Sequence, residues 1–401
     1  MESRIKVKPT IYKDNKEILS EIILKDGSIG IVKDTENYKA FKSENYNFFF
    51  NKEDGFFVRW GKGDYSVDCK DKITKQEVDL YLLWTKIWGK KLNLKDFVRD
   101  LESDPINGLP EIADIEISTA CKQGCAFCYK DNKISGENMS LETFKKVFSK
   151  LVVTTTQIAF GITEIDANPD MWDIFDYTRS QGVIPNVTIN GSGMKPEYFD
   201  KLAERCGAVA VSAYNKDNTY NTIKELTDRG MKQINIHQMI CLENFDESMQ
   251  ILKDRMTDSR LDKLNAIVLL SLKPRGRAEG RFHKLPQEKF DELVNFALDN
   301  KIGIGFDSCG CHKFLKTIEK NSQYKYVETC AEPCESTLFS CFLNVKGNFY
   351  ACSFCENNEG LSVLECKNFL KDIWYNKSTE NFREGVINCR NSNTSCSVYD
   401  V

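Results

Sequence analysis

The sequence predicts an α/β protein with a parallel sheet at its centre, preceded by a β-rich domain and followed by a cysteine-rich extension. Three observations carry this reading. Between residues 112 and 307, short apolar runs alternate with segments of helical period, the order of βα units in a parallel sheet. Before residue 110 the apolar runs are short and separated by turn residues. After residue 308 the thiols crowd, with ten of the chain's 16 cysteines between Cys309 and Cys396. The expected divisions are therefore 1–110, 111–308 and 309–401.

Bulk properties narrow the classes. At 401 residues the chain is long enough for two or three domains. Its 55 Lys and Arg nearly balance 59 Asp and Glu. This disfavours a broad nucleic-acid footprint, which needs a basic stripe. No apolar run is long enough for a membrane span, and the start Met1-Glu-Ser-Arg lacks the apolar stretch of a secretory signal. Cysteines without a signal peptide speak for metal in a reducing cytoplasm rather than for disulfides. Cys69, Cys206 and Cys241 stand singly and are expected to be small buried apolar residues.

In chain order, 20–24 and 29–32 read as strands around the turn Lys25-Asp26-Gly27. A second hairpin has 47–50 and 55–60 flanking Lys52-Glu53-Asp54. Residues 75–88 predict a helix with Val78, Leu80, Leu82, Leu83 and Ile87 as its apolar face. A short helix over 93–101 follows. Strands are expected at 112–117, 157–160, 186–189, 208–212, 233–239, 266–270 and 303–306. Helices are expected between them, among them 141–151, 169–180, 195–205 and 217–229. Ser140 stands as N-cap of the first of these.

Just after the strand at 112–117 comes the densest chemistry, Cys121-Lys-Gln-Gly-Cys125-Ala-Phe-Cys128-Tyr129. Three thiolates in so tight a loop can hold three irons of a 4Fe–4S cluster and leave the fourth open to a non-protein ligand. A zinc site would want a fourth Cys or His at matching spacing, and none lies near in sequence. The spacing Cys-x3-Cys-x2-Cys, with Phe127 before the last Cys, resembles the signature of the radical S-adenosylmethionine (radical SAM) superfamily.

That resemblance implies a partial (β/α)6 TIM-like barrel whose site lies at the carboxyl ends of the strands. It implies that the open iron binds S-adenosylmethionine, cleaved by one electron to a 5′-deoxyadenosyl radical. A reductant such as flavodoxin or ferredoxin would supply that electron, and an oxygen-sensitive cluster implies a cytoplasmic, anaerobic setting. The family's Gly-Gly-Glu turn after the second strand is matched loosely by Gly161 and Glu164, with Thr163 in place of a glycine. Asp166 competes for the same contact with the methionine amino group. Tyr129 closes the triplet. Asn190, in Asn190-Gly-Ser, resembles the turn after the third strand. Ser212 and Tyr214 are placed to meet the carboxylate or ribose. His237 and Gln238 end the fifth strand, and Lys273, Arg275 and Arg277 follow the sixth. A satisfied structural His and a solvated basic loop are the alternatives.

In the extension, Cys334, twelve residues, Gly347, four residues and Cys352 resemble the Cys-x(9–15)-Gly-x4-Cys pattern of SPASM and Twitch domains. These support auxiliary iron–sulfur clusters. The match then degrades, because only Cys389 and Cys396 follow where four cysteines are expected. One auxiliary 4Fe–4S cluster is thus implied, on Cys309, Cys334, Cys352 and Cys396, with Cys330, Cys341, Cys355 and Cys389 as alternates. A four-thiolate zinc site is the competing reading.

Taken together, the resemblance implies an enzyme that abstracts hydrogen from a peptide or protein, leading to crosslinking, epimerisation or oxidation. Residues 1–110 would then guide the peptide, as the winged domain of some relatives does, or be a β-rich structural extension. A Twitch-type small-molecule dehydrogenase or rearrangement enzyme, and a non-catalytic iron–sulfur redox module, are the alternatives.

Overall fold

The computed structural model describes residues 7–12, 15–61, 73–90, 92–101, 108–356, 359–392, 394 and 396. Cys69 and the side chain of Cys330 lie outside them. The chain divides into two compact units, Met1–Leu109 and Pro110–Val401.

The first unit is a six-stranded antiparallel meander in chain order. Its strands are β1 (Val7–Tyr12), β2 (Asn15–Ile23), β3 (Ile29–Asp34), β4 (Tyr38–Lys42), β5 (Tyr46–Asn51) and β6 (Phe57–Gly61). The turn after β2 forms because Asp26 Oδ1 accepts from Ser28 N at 2.9 Å and Gly27 adopts φ +82°, which a side chain would resist. Two helices follow, α1 (Lys75–Trp88) and α2 (Leu94–Leu101). Thr74 and Glu77 form a capping box at the start of α1, and left-handed Gly89 ends it.

The buried face of α1 keeps most of the predicted apolar residues, with Ile87 buried and Leu80 and Leu83 packed against the same cluster, but it is centred on aromatics. Tyr81, Trp84 and Ile87 are buried, whereas Leu82 is 57% exposed. Large aromatics bury more area, and they set the rotation of the helix. Trp84 packs edge-on to Trp60 at 4.5 Å, and Trp60 lies 5.6 Å from Phe97.

The second unit is a ten-stranded sheet with the order β13-β12-β11-β10-β9-β8-β7-β14-β15-β16. Strands β7 (Ile112–Glu116), β8 (Gln157–Gly161), β9 (Ile184–Ile189), β10 (Val209–Ser212), β11 (Ile234–Ile240), β12 (Ala266–Ser271) and β13 (Ile304–Phe306) are parallel and run in chain order. Between them come α3 (Leu141–Phe148), α4 (Met171–Ser180), α5 (Pro196–Arg205), α6 (Lys216–Asp228), α7 (Phe245–Thr257) and α8 (Gln287–Asp299). This is the partial barrel that the alternation predicts, one strand for each apolar run. Helix α9 (Cys311–Lys320) follows β13.

The C-terminal segment continues the same sheet. Strand β14 (Ser340–Leu343) pairs parallel with β7, so Phe342 lies beside Asp114. The hairpin of β15 (Asn348–Tyr350) and β16 (Leu361–Ser362) extends it antiparallel, and α10 (Lys377–Ser392) closes the chain. Gly347 takes φ +75° in the β14–β15 turn.

Alternation along the strands gives each two faces. The outer face is apolar: Ala113, Ile115, Ile158, Phe160, Ile236 and Ile267 pack in one core with Phe144, Phe175 and Phe290 of the helices. The inner face is not the usual branched aliphatic filling. It carries Asp114, Gln157, Asn186, Thr188, Asn235 and His237. Asn186 Nδ2 donates to Gln157 Oε1 at 2.7 Å, and Asn265 Nδ2 donates to Asn235 Oδ1 at 2.9 Å.

Candidate functional site

A cavity of about 510 Å³ opens at the carboxyl ends of the parallel strands. Cys121, Cys125 and Cys128 line one side, and Cys309, Cys334 and Cys352 the other. Thiols about two hundred residues apart in sequence thus face a single space.

The triplet loop is held through its backbone. Cys121 N donates to Lys133 O at 2.9 Å and Cys128 N to Cys125 O at 3.2 Å. Arg277 grips the loop: Nε donates to Cys125 O at 2.8 Å, Nη1 pairs with Asp131 at 2.9 Å, and its backbone N donates to Cys128 O at 2.9 Å. Gly276 has φ +60°, and a Cβ there would stand 2.5 Å from the carbonyl oxygens of Cys128 and Tyr129. Only glycine permits so close a backbone approach. Burial, then the neighbouring Cys121 and Cys128, raise the Cys125 thiol above its ordinary value. The three sulfurs are therefore close enough to repel as thiolates, and bound cations are what would stabilise them. Among the described residues no three His, Cys, Asp or Glu side chains close around a single ion. A cubane instead wants its thiolates spread over separate corners.

The other expected residues fall into groups. Gly161, Asn190, Tyr129 and Lys273 line the cavity. Glu164 Oε1 accepts from Lys122 N at 2.7 Å, so that carboxylate braces the triplet backbone. Thr163, in the place of a glycine, donates its hydroxyl to Ala120 O. Asp166 is exposed and sits in the field of Lys195. Ser212 hydrogen-bonds Tyr214, whose ring lies 5.2 Å from Phe127.

His237 and Gln238 border a side cavity of about 250 Å³ beside Cys125 and Tyr214. Burial pushes His237 down to about 4, against the pull of Asp307, so its ring is neutral near pH 7. Gln238 Nε2 donates to Met239 O at 3.1 Å and to Ser248 Oγ at 2.9 Å. Lys273 is buried and pairs with Asp307. Burial alone would lower its pKa, but Asp307 and Cys309 outweigh it and raise it. Arg275 donates to the Phe354 carbonyl, which ties the loop after β12 to the second group of thiols.

That second group is gathered from separate segments. Cys309 lies in the turn after β13, and Cys334, Cys352, Cys389 and Cys396 border a cavity of about 110 Å³ with it. Cys355 joins them through a hydrogen bond with Cys352. Phe354 N points at Cys352 Sγ at 3.5 Å, and Cys355 N donates to Cys352 O at 2.9 Å. A hydrogen bond with Cys396 raises the Cys309 thiol, and burial adds to it. Burial raises Cys334 to about 12. Cys341 is instead packed in the apolar core, 2% exposed, as is Cys366.

Several residues carry no sequence signal of their role. Lys130 pairs with Glu116 at 3.1 Å and with Glu356, and its ammonium lies 4.8 Å from the Phe342 ring. The Tyr129 ring lies 4.6 Å from Phe354. These contacts join the triplet to the second thiol group, and only the tertiary fold creates them.

No protein-family model matches the sequence, and no curated protein matches it. Solved structures share the fold. Streptococcus suis SuiB bound to precursor peptide SuiA aligns with a TM-score of 0.57 at 12% identity, over 84% of this chain and 89% of that one. SuiB bound to S-adenosylmethionine aligns with a TM-score of 0.56 at 13% identity, over 84% and 87%. Native anSMEcpe with bound AdoMet and Cp18Cys peptide aligns with a TM-score of 0.55 at 11% identity, over 72% and 89%. The chain therefore has the fold of radical SAM enzymes.

Proposed function

We propose that this chain is a radical SAM enzyme that abstracts hydrogen from a peptide or protein substrate. The observation that carries the reading is the single cavity with the triplet loop on one side and the second thiol group on the other. The solved structures with bound peptide support a peptide substrate, and residues 1–110 would take part in guiding it.

Cys121, Cys125 and Cys128 would hold a 4Fe–4S cluster with one open corner. When bound with S-adenosylmethionine, that cluster supplies the electron that yields a 5′-deoxyadenosyl radical. The chain's own residues do the placing. Arg277, Gly276 and Glu164 fix the loop from outside the cavity. Gly161 and Asn190 edge the space where S-adenosylmethionine would sit, and Tyr214 and Phe127 wall it. Neutral His237 can exchange a hydrogen bond at that wall but carries no charge there. Cys309, Cys334, Cys352 and Cys396 would hold one auxiliary cluster, with Cys355 and Cys389 within the same group. Lys273 pairs with Asp307 beside Cys309.

A flavodoxin or ferredoxin is the reductant this reading requires, and the cytoplasm is the setting. Among the described residues no helix is long and apolar enough to cross a membrane.

The test is iron, sulfide and 5′-deoxyadenosine measured on protein reconstituted without oxygen. About eight irons per chain, with 5′-deoxyadenosine formed under dithionite, is the expected result. Four irons plus zinc would remove the auxiliary cluster. A full iron load with no 5′-deoxyadenosine would favour the redox-module reading. Stimulation by metabolites and not by peptides would favour the small-molecule reading.

A further inference from the structure

We infer that Asp114 anchors a cationic group on an alkyl stem, a protonated amine or guanidinium of a substrate peptide, at the floor of the cavity. The inference rests on reading that cavity as the substrate site.

Asp114 faces the cavity from the middle of β7 and makes no hydrogen bond or ion pair among the described residues. Most of the other acids in and beside the cavity have a partner among the described residues. Asp307 has Lys273, Asp131 has Arg277, Glu356 has Lys130 and Glu164 has a backbone N–H. Glu116 is half matched: Oε1 meets Lys130, while Oε2 is buried without a partner. The Asp114 side chain is accessible from the cavity, so an incoming cation can reach it without displacing a partner.

The surroundings suit an alkyl stem. Across the strands Asp114 is flanked by Ala159 and Phe342. Ala159 leaves space, and Phe342 offers an apolar wall. Lys130 is held by Glu116 and Glu356, so among Asp114, Glu116, Lys130 and Glu356 the ionised balance is negative. A cation fits that field and an anion does not. Asp114 lies two residues below Glu116, about 7 Å along the strand, which is about the reach of a lysine or arginine side chain. A peptide lying across the rim would thus place the stem's first carbons near the triplet level, with the charged tip on Asp114. Burial raises the carboxyl to about 6, so it is ionised at neutral pH even before a cation arrives.

The test is carboxyl labelling of the full chain, reconstituted without oxygen, with a water-soluble carbodiimide and glycine ethyl ester, read by peptide mass spectrometry. The probes are n-butylguanidinium and its neutral analogue n-butylurea at equal concentration. The guanidinium is expected to slow labelling of Asp114 about threefold, the protection given by a ligand at about twice its Kd, while the urea does not. Exposed Asp166 should label equally with both. Equal labelling of Asp114 with both probes, or none in their absence, would overturn the inference. The guanidinium should also raise the Tm of the wild type but not of Asp114→Asn; an equal rise contradicts it. Formation of 5′-deoxyadenosine in the same preparation is scored separately. Protection without that product overturns the proposed function, and product without protection overturns only this inference.

Discussion

The two thiol groups differ in how they are built. The triplet comes from one continuous loop, with Cys121, Cys125 and Cys128 all half-buried and open to the cavity. The second group draws Cys309, Cys334, Cys352 and Cys396 from four segments around a smaller space, with Cys309, Cys334 and Cys352 also facing the larger cavity. A short loop can present three thiolates with one side free, which suits a cluster that must bind another molecule. Thiols collected from across the fold can surround a cluster completely, which suits an electron carrier or a stabiliser. The contrast teaches that cysteine number alone says little. What separates an open site from a closed one is how many chain segments supply the ligands.

The largest expected effect comes from cutting the open site. Cys125→Ala should reduce 5′-deoxyadenosine formation to background and lower iron from about eight to about four per chain, with the far-ultraviolet circular dichroism unchanged. Retained cleavage would break the comparison at its first term.

Next comes the closed site. Cys352→Ala should also lower iron to about four per chain, yet leave 5′-deoxyadenosine formation within about threefold of wild type. Equal loss in both variants would mean that the two groups act as one unit.

A smaller effect is expected from the support of the open loop. Arg277→Ala removes charge-assisted hydrogen bonds to Cys125 O and Asn132 O and the pair with Asp131. Iron should leave the triplet faster under a chelator, while the second group keeps its iron. Arg277→Lys should not rescue it, because a lysine cannot span both partners with a rigid fork.

The smallest effect concerns the floor between the two groups. The Asp114 pKa is raised from 3.8 to about 6 by burial, so the folded chain holds that proton more tightly than the unfolded one. The stability this gives is present below about pH 4 and is lost as the pH rises through about 6. Asp114→Asn should therefore raise the Tm above pH 7 by roughly 2–4 °C, the equivalent of about 1 kcal/mol after allowing for cavity water, and by nothing near pH 4. Differential scanning calorimetry at the two pH values checks it.

Much of this was legible in the residues. The strand–helix alternation gave a strand of the parallel sheet for each apolar run, because buried parallel strands are apolar on the face that meets the helices. The triplet loop was legible as a feature because its three cysteines are adjacent in sequence. The second thiol group was legible as a concentration of cysteines but not as a geometry, since the part played by Cys355 and the core burial of Cys341 depend on how β14 and the loop after β15 pack. Arg277 reads as one more basic residue in a loop, and its grip on Cys125 spans 152 positions. Asp114 and Glu116 read as the solvent face of an alternating strand. A barrel turns that face inward, and periodicity cannot tell a polar interior from water. On α1, the apolar count placed Leu80, Leu83 and Ile87 on the packed face but also included exposed Leu82 and left out Tyr81 and Trp84, which centre that face.

The most direct test of the open-site claim is electron paramagnetic resonance of dithionite-reduced Cys352→Ala protein, with and without S-adenosylmethionine. The account predicts a reduced 4Fe–4S signal whose g values shift when S-adenosylmethionine is added, and which disappears when Cys125→Ala is combined with Cys352→Ala. A signal that ignores S-adenosylmethionine, or that survives the double substitution, would contradict it.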